Sequence, residues 1–156
     1  MYAAQINRME PYMSTHVLEA KNELEQKLLA AMNGELSSDD FMHALMTYQI
    51  FIPIKDDKDS GIIGFQHTTK ATPLVIQDED GINILVLFTS PERAKDFLAD
   101  TPGYSGGLLE NFSWIVERME PGFAIAVNPG IDLGIDIEPE NVAEMLVLLA
   151  EQATKN

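Results

Sequence analysis

The sequence predicts an α/β domain, with α+β as the open alternative: a central mixed sheet of four or five short strands with helices packed on it. Three observations carry this reading. Helical stripes and short apolar runs alternate along the chain, so helices can lie on both sides of one sheet. The run Ile82 to Phe88 is nearly all apolar, which suits a strand buried on both faces. The chain has 156 residues and is 46% apolar, enough for one ordinary core.

Residues 1–13 read as a loose N-terminal arm, 14–152 as one domain and 153–156 as a tail. Pro11 separates the arm from a helix that Ser14 or Thr15 would cap and that runs to Met32. Val17, Leu24, Leu28 and Met32 share a face of it. Glu23 and Lys27 form an i,i+4 pair on the outside, and Asn33-Gly34 supplies the left-handed stop. A second helix starts near Ser38, where Ser37 and Asp40 make a capping box. Phe41, Leu45 and Tyr48 form its inner face.

The period then changes. Gln49 to Ile54 reads as a strand, with Pro53 marking its end or an edge because proline donates no ladder bond. Residues 55–61 form a charged turn. Gly61 to Gln66 suits a short strand, and Pro73 to Gln77 a better one. Asp78 to Gly81 makes a hairpin turn into Ile82–Phe88.

Thr89-Ser90-Pro91-Glu92 opens a helix with two alternative caps. Thr89 with Glu92 is a capping box, and Ser90 with Pro91 puts proline at the first helical position. Ala94, Phe97 and Leu98 give this helix a buried stripe. A loop from Thr101 to Gly107 follows. The spacing of Leu108, Leu109, Phe112, Ile115 and Met119 predicts a helix from Leu108 to Met119. Pro121-Gly122 ends it. Phe123 to Val127 is a strand closed by Asn128-Pro129-Gly130. Ile135 to Ile137 can pair briefly, and Pro139 opens a last helix carrying Val142, Met145, Leu146 and Leu149.

Composition excludes several function classes. Lys plus Arg is 10 and Asp plus Glu is 25, a formal charge of −15. That argues against nucleic acid and against anionic lipid as partners, since both attract Lys and Arg. Cysteine is absent, which removes disulfides, thiolate metal sites, iron–sulfur clusters and Cys nucleophiles. The longest apolar stretch, Met145 to Ala150, has six residues, against about 20 for a bilayer span. Without a signal-like start, the chain reads as a cytoplasmic protein.

His16, His43 and His67 lie in three different elements with no metal spacing between them. Asp57 to Gly61 and Asp78 to Gly81 fail the spacing of a calcium loop and read as solvated turns. Gly103 to Gly107 matches neither a Walker nor a dinucleotide loop and reads as a connector, with small-anion binding as the alternative. Neither the acids Asp132 and Asp136 nor any serine stands in a pattern that names a reaction. No catalytic, metal or cofactor residue is assigned.

Thr89, Ser90, Arg93 and Asn128 form the first candidate surface, because α/β ligand sites gather at strand ends. Asn128 joins it if Phe123–Val127 lies beside Ile82–Phe88. Ser90 reads as a cap, Asn128 as closing its own turn, and Arg93 as offsetting Asp96 or Glu92. Tyr104, Trp114 and Phe123 are candidates for an exposed apolar patch rimmed by acids. Trp114 falls off its helix stripe, under the Tyr104 loop or at an interface.

Several blocks resemble the SseB family, whose name stands for enhanced serine sensitivity, and specifically its N-terminal domain. They are Asn22-Glu23-Leu24-Glu25 with Ala30-Ala31, then Phe41 with Leu45, then Ile50-Phe51-Ile52-Pro53. Asp80-Gly81 with Leu85 to Arg93 resembles the central hairpin and its FTS turn, and Leu108-Leu109-Glu110 the next helix. Ala126 to Gly130, followed by Gly134-Ile135 and Glu138, resembles the NPG turn. The resemblance covers about residues 20–150. Longer family members carry a second, C-terminal domain with no counterpart here, and often a Trp where this chain has Phe97. The resemblance carries the fold and no biochemical role. Two functions are expected of such a domain: a non-enzymatic interaction or regulatory module with a protein partner or a second copy, or a small-metabolite or anion sensor or small enzyme with its site at the FTS and NPG turns.

Overall fold

The computed structural model describes residues 19–56 and 72–155. The expected arm, the caps Ser14 and Thr15, and the strand at Gly61–Gln66 lie outside the described residues, as do His16 and His67. Among the described residues, five helices and six strands follow in the order α1 (Glu23–Met32), α2 (Ser38–Leu45), β1 (Gln49–Ile54), β2 (Val75–Gln77), β3 (Asn83–Leu87), α3 (Pro91–Ala99), β4 (Gly106–Asn111), α4 (Phe112–Arg118), β5 (Ala124–Val127), β6 (Ile135–Ile137) and α5 (Pro139–Lys155). The predicted mixed α/β class holds.

The strands form a four-stranded sheet, β2-β3-β5-β6, and a two-stranded one, β1-β4. The parallel pair is β3 with β5, Leu87 lying opposite Val127, and β2 and β6 flank it antiparallel. The small sheet abuts the large one where Phe51 and Phe88 exchange main-chain bonds of 2.8 and 2.9 Å.

Strand β3 explains the layering. Its side chains alternate between two cores. Leu85 and Leu87 enter the larger one with Leu24 and Leu28 of α1, Phe41 and Leu45 of α2, Phe112 and Val116 of α4, and Val142 and Met145 of α5. Val86 and Phe88 turn the other way, against Phe51, Leu74 and Ala94, where Phe97, Leu98 and Tyr104 close the edge. The rings of Phe88 and Phe97 sit 5.5 Å apart, tilted by 59°. A continuous apolar run is what burial on both faces demands.

Local chemistry sets the boundaries. Asn22 caps α1 by accepting from the Glu25 amide at 2.8 Å, so the helix that ends at Met32 begins there. Gly34 takes the left-handed turn after it at φ 79°. Ser37 caps α2 through the Asp40 amide at 3.0 Å. At the hairpin, Asp78 accepts from the amides of Asp80 and Ile82. Helix α5 continues to Lys155.

One predicted element is corrected. The helix starts at Phe112, and residues 106–111 instead form β4, paired antiparallel with β1 from Gln49↔Asn111 to Ile54↔Gly106. Leu108 and Leu109 therefore do not face the core. They are 44% and 51% exposed. The helical spacing was real, but β1 offers a row of main-chain groups to which Gly107 can approach closely, and pairing with it overrides local preference.

Candidate functional site

The C-terminal ends of β3 and β5 lie side by side, which brings Thr89 and Asn128 together as expected. Main-chain pairing continues one step past the strands, the Asn128 amide donating to the Leu87 carbonyl at 2.9 Å. Asn128 then turns left-handed at φ 57°, a conformation asparagine tolerates better than most residues. This aims its side chain back across the strand ends. Asn128 Oδ1 accepts from the Thr89 amide at 2.9 Å. Asn128 Nδ2 donates to Thr89 Oγ1 at 2.9 Å and to the Leu133 carbonyl at 2.8 Å. Asn128 thus does more than close its own turn: it ties two turns together. Gly134 makes this possible, since a Cβ there would stand 2.7 Å from the Val127 carbonyl oxygen and 2.8 Å from that of Asn128.

A carboxylate completes the cluster. Glu25 is fully buried. Its Oε2 accepts from Thr89 Oγ1 at 2.6 Å and from Arg93 Nε at 2.9 Å. Its Oε1 accepts from Arg93 Nη2 at 2.9 Å and from the Lys21 amide at 2.8 Å. Arg93 Nη2 also donates to the Glu19 carbonyl at 2.6 Å. Asn22 Nδ2 reaches the Thr89 carbonyl at 3.3 Å. Four donors thus fill the roughly four acceptor positions of the carboxylate.

Burial pushes the Glu25 carboxyl up. The hydrogen bonds from Arg93, Thr89 and the Lys21 amide, together with the Arg93 charge, outweigh it and hold the group below the ordinary glutamate range. Arg93 is raised, first by its hydrogen bond to Glu25, against the opposing effect of burial.

Ser90 caps α3, as read from the sequence, accepting from the Arg93 amide at 3.2 Å. Pro91 stands at the first helical turn, and Thr89 Oγ1 is engaged by Glu25 and Asn128. The side chain that Arg93 bonds is Glu25 and not Asp96 or Glu92, although the Glu92 charge adds a smaller attraction. The sequence reading assigned Glu25 no role. Two signals were available. Asn22 and Glu25 have capping-box spacing, and Glu25 lies one turn before Leu28 on the buried side of α1.

The other candidates lie elsewhere. Tyr104 packs on the smaller core, and Phe123 on the larger one. Trp114 is 41% exposed and lies under the Arg118 guanidinium, 4.0 Å from the ring centroid, so its cover is Arg118 and not the Tyr104 loop. Ser105, before β4, uses its amide and hydroxyl on Asp56 at 3.1 and 2.8 Å, so the connector holds a carboxylate of this chain. His43 is exposed on the outer side of α2, with Nδ1 2.9 Å from the Asp39 carbonyl. Among the described residues no group of three or more His, Asp or Glu could hold a metal ion, and no helix is long and apolar enough to cross a membrane.

These features define a mixed α/β domain whose two signature turns are joined through one buried Thr–Asn–Glu–Arg cluster. The chain belongs to the SseB family: the model of the SseB protein N-terminal domain matches residues 24–144. No curated protein and no solved structure matches the chain.

Proposed function

We propose that this domain is a non-enzymatic protein-interaction or regulatory module. The observation that supports it is where polar and apolar groups stand. At the strand ends, Glu25, Thr89, Arg93 and Asn128 bind one another, so the cation that an anionic ligand would meet is already engaged. On β4 and the first turn of α4, by contrast, Leu108, Leu109 and Trp114 hold large apolar side chains in solvent. Exposed apolar surface of this kind marks interaction sites. Trp114 with Arg118 over its ring joins two residue types enriched at binding hot spots.

The rival reading is a small-metabolite or anion sensor, or a small enzyme, at the FTS and NPG turns. The test pairs solution mass and photo-crosslinkers at positions 109, 114 and 147 with a thermal-shift screen of anions and amino acids. The module predicts discrete adducts from 109 and 114 that vanish in Leu108→Lys, and none from the control at Val147. A specific ligand shift that Arg93→Met abolishes, without such adducts, overturns it in favour of the sensor.

A further inference from the structure

The polar main chain of β4 points two ways. In an antiparallel ladder the residues of a strand alternate between bonding the partner and facing away from it. The Phe112 amide donates to the Tyr48 carbonyl at 2.9 Å, which fixes the phase: Glu110 and Leu108 bond to Ile50 and Ile52 of β1. Phe51 uses its amide and carbonyl on Phe88, and the Pro53 carbonyl accepts from the Leu74 amide at 3.1 Å. The residues opposite these, Leu109 and Gly107, must therefore turn their N–H and C=O groups away from β1. Among the described residues no strand pairs with that side.

Sheet edges are usually blunted by lysine, proline, a bulge or short length. The two ends of the larger sheet are short, three residues each in β2 and β6. Strand β4 has six residues, Gly-Gly-Leu-Leu-Glu-Asn, without lysine or proline. Gly106 and Gly107 carry no side chain to obstruct an approaching strand. Leu108 and Leu109 offer apolar contact on its two faces.

Charge selects the occupant. Residues 100–120 contain four acids, Asp100, Glu110, Glu117 and Glu120, and one base, Arg118. That base is stacked on Trp114. A second copy would bring another −15 to the contact, whereas a cationic segment is drawn to it. We propose that the edge of β4 with which no described strand pairs takes up an extended, Lys- or Arg-bearing segment of a partner protein as an added strand. Its main chain bonds to Gly107 and Leu109, and its apolar side chains lie against whichever of Leu108 and Leu109 shares their face. This names the partner chemistry of the interaction-module reading and rests on it.

The probe is a blocked octapeptide of alternating Val and Lys, titrated into the full chain and followed by amide NMR. The Leu109 and Gly107 amides shift and exchange more slowly, and added salt weakens the effect. A Val–Glu octapeptide binds roughly tenfold more weakly or not at all. A Val–Lys octapeptide N-methylated on alternate residues fails to bind. Leu109→Pro removes an outward N–H that β1 does not use, and abolishes binding. Leu109→Lys, which keeps the main chain, weakens the cationic probe and guards against a Pro variant that fails to fold. Equal binding of the N-methylated peptide, or perturbation confined to other elements, overturns the proposal. So does protection of the Leu109 amide that rises with protein concentration alone, which marks a second copy. If crosslinks from position 114 persist in Leu109→Pro while the peptide never binds, edge pairing fails and the interaction module stands. If both are absent, both readings fall.

Discussion

Glu25 and Arg93 are 68 residues apart in the chain, yet the guanidinium meets the carboxylate through two bonds of 2.9 Å. The pair ties the start of α1 to the start of α3, with the ends of β3 and β5 between them. Glu25 is fully buried, and the Arg93 side chain is 13% exposed. Removing one partner leaves a buried charge without its counter-ion. Arg93→Met is expected to cost about 3–5 kcal/mol in urea unfolding. Glu25→Gln/Arg93→Met, with no charge left in the site, should cost less than the sum of its single variants, with a coupling of about 0.5–3 kcal/mol. Additive costs would show that the pair acts as two independent groups.

The same carboxylate sets an acid limit. Its pKa lies below the ordinary value in the folded chain, so folding favours the ionised form. The resulting stability is complete above the unfolded pKa of about 4.3 and is lost as pH falls through the lower folded value. Glu25→Gln lacks this contribution. The gap between wild type and Glu25→Gln is therefore expected to hold from neutral pH down to about pH 5 and to narrow from there towards about pH 3. A gap unchanged over that range contradicts the assignment.

Asn128 holds two buried main-chain groups that no other described side chain reaches, the Thr89 amide and the Leu133 carbonyl. Asn128→Ala orphans both, at about 1–3 kcal/mol each. It also places a Cβ residue without a polar tip at positive φ. The expected loss is at least about 3 kcal/mol, the strain adding about 1 kcal/mol. Asn128→Gly orphans the same groups but relaxes the backbone, so it should be the milder variant. Thermal melts that rank the two in the opposite order would show that left-handed strain does not separate them.

Much of this architecture could be read from the chain. The Ile82–Phe88 run announced a strand with two apolar neighbours, and Ser37, Ser90 and Pro91 announced helix starts by the groups they must satisfy. The adjacency of Thr89 and Asn128 followed once β5 lay parallel to β3. What local pattern could not show was long-range polar pairing. Glu25 looks like one more acid in a first helical turn, and only the meeting of four elements gives it a site. The error at 108–111 has a related origin: Leu108 and Leu109 continue a helical stripe, while their true partners, Ile52 and Phe51, lie more than fifty positions earlier.

Gly107 decides that error in favour of the strand, and this is testable. A Cβ on Gly107 would collide with the Ile52 carbonyl oxygen and stand 2.8 Å from Phe51 Cζ, whereas one on Gly106 meets nothing within 4 Å. The obstacle at Gly107 is mostly backbone, which cannot rotate aside. Gly107→Ala should therefore push β4 off β1 and cost about 1–3 kcal/mol. Gly106→Ala should be neutral or stabilising by about 0.4–1 kcal/mol, since alanine restricts the unfolded chain. Amide exchange separates a local from a global cause. Opening of the β1–β4 ladder speeds exchange at Leu108 and Ile52 in Gly107→Ala while the Val127 and Leu87 amides of the larger sheet stay protected. Equal costs for the two alanines would mean that residues 106–111 do not need this close approach, and the helix expected from their spacing would again be the better account of the segment.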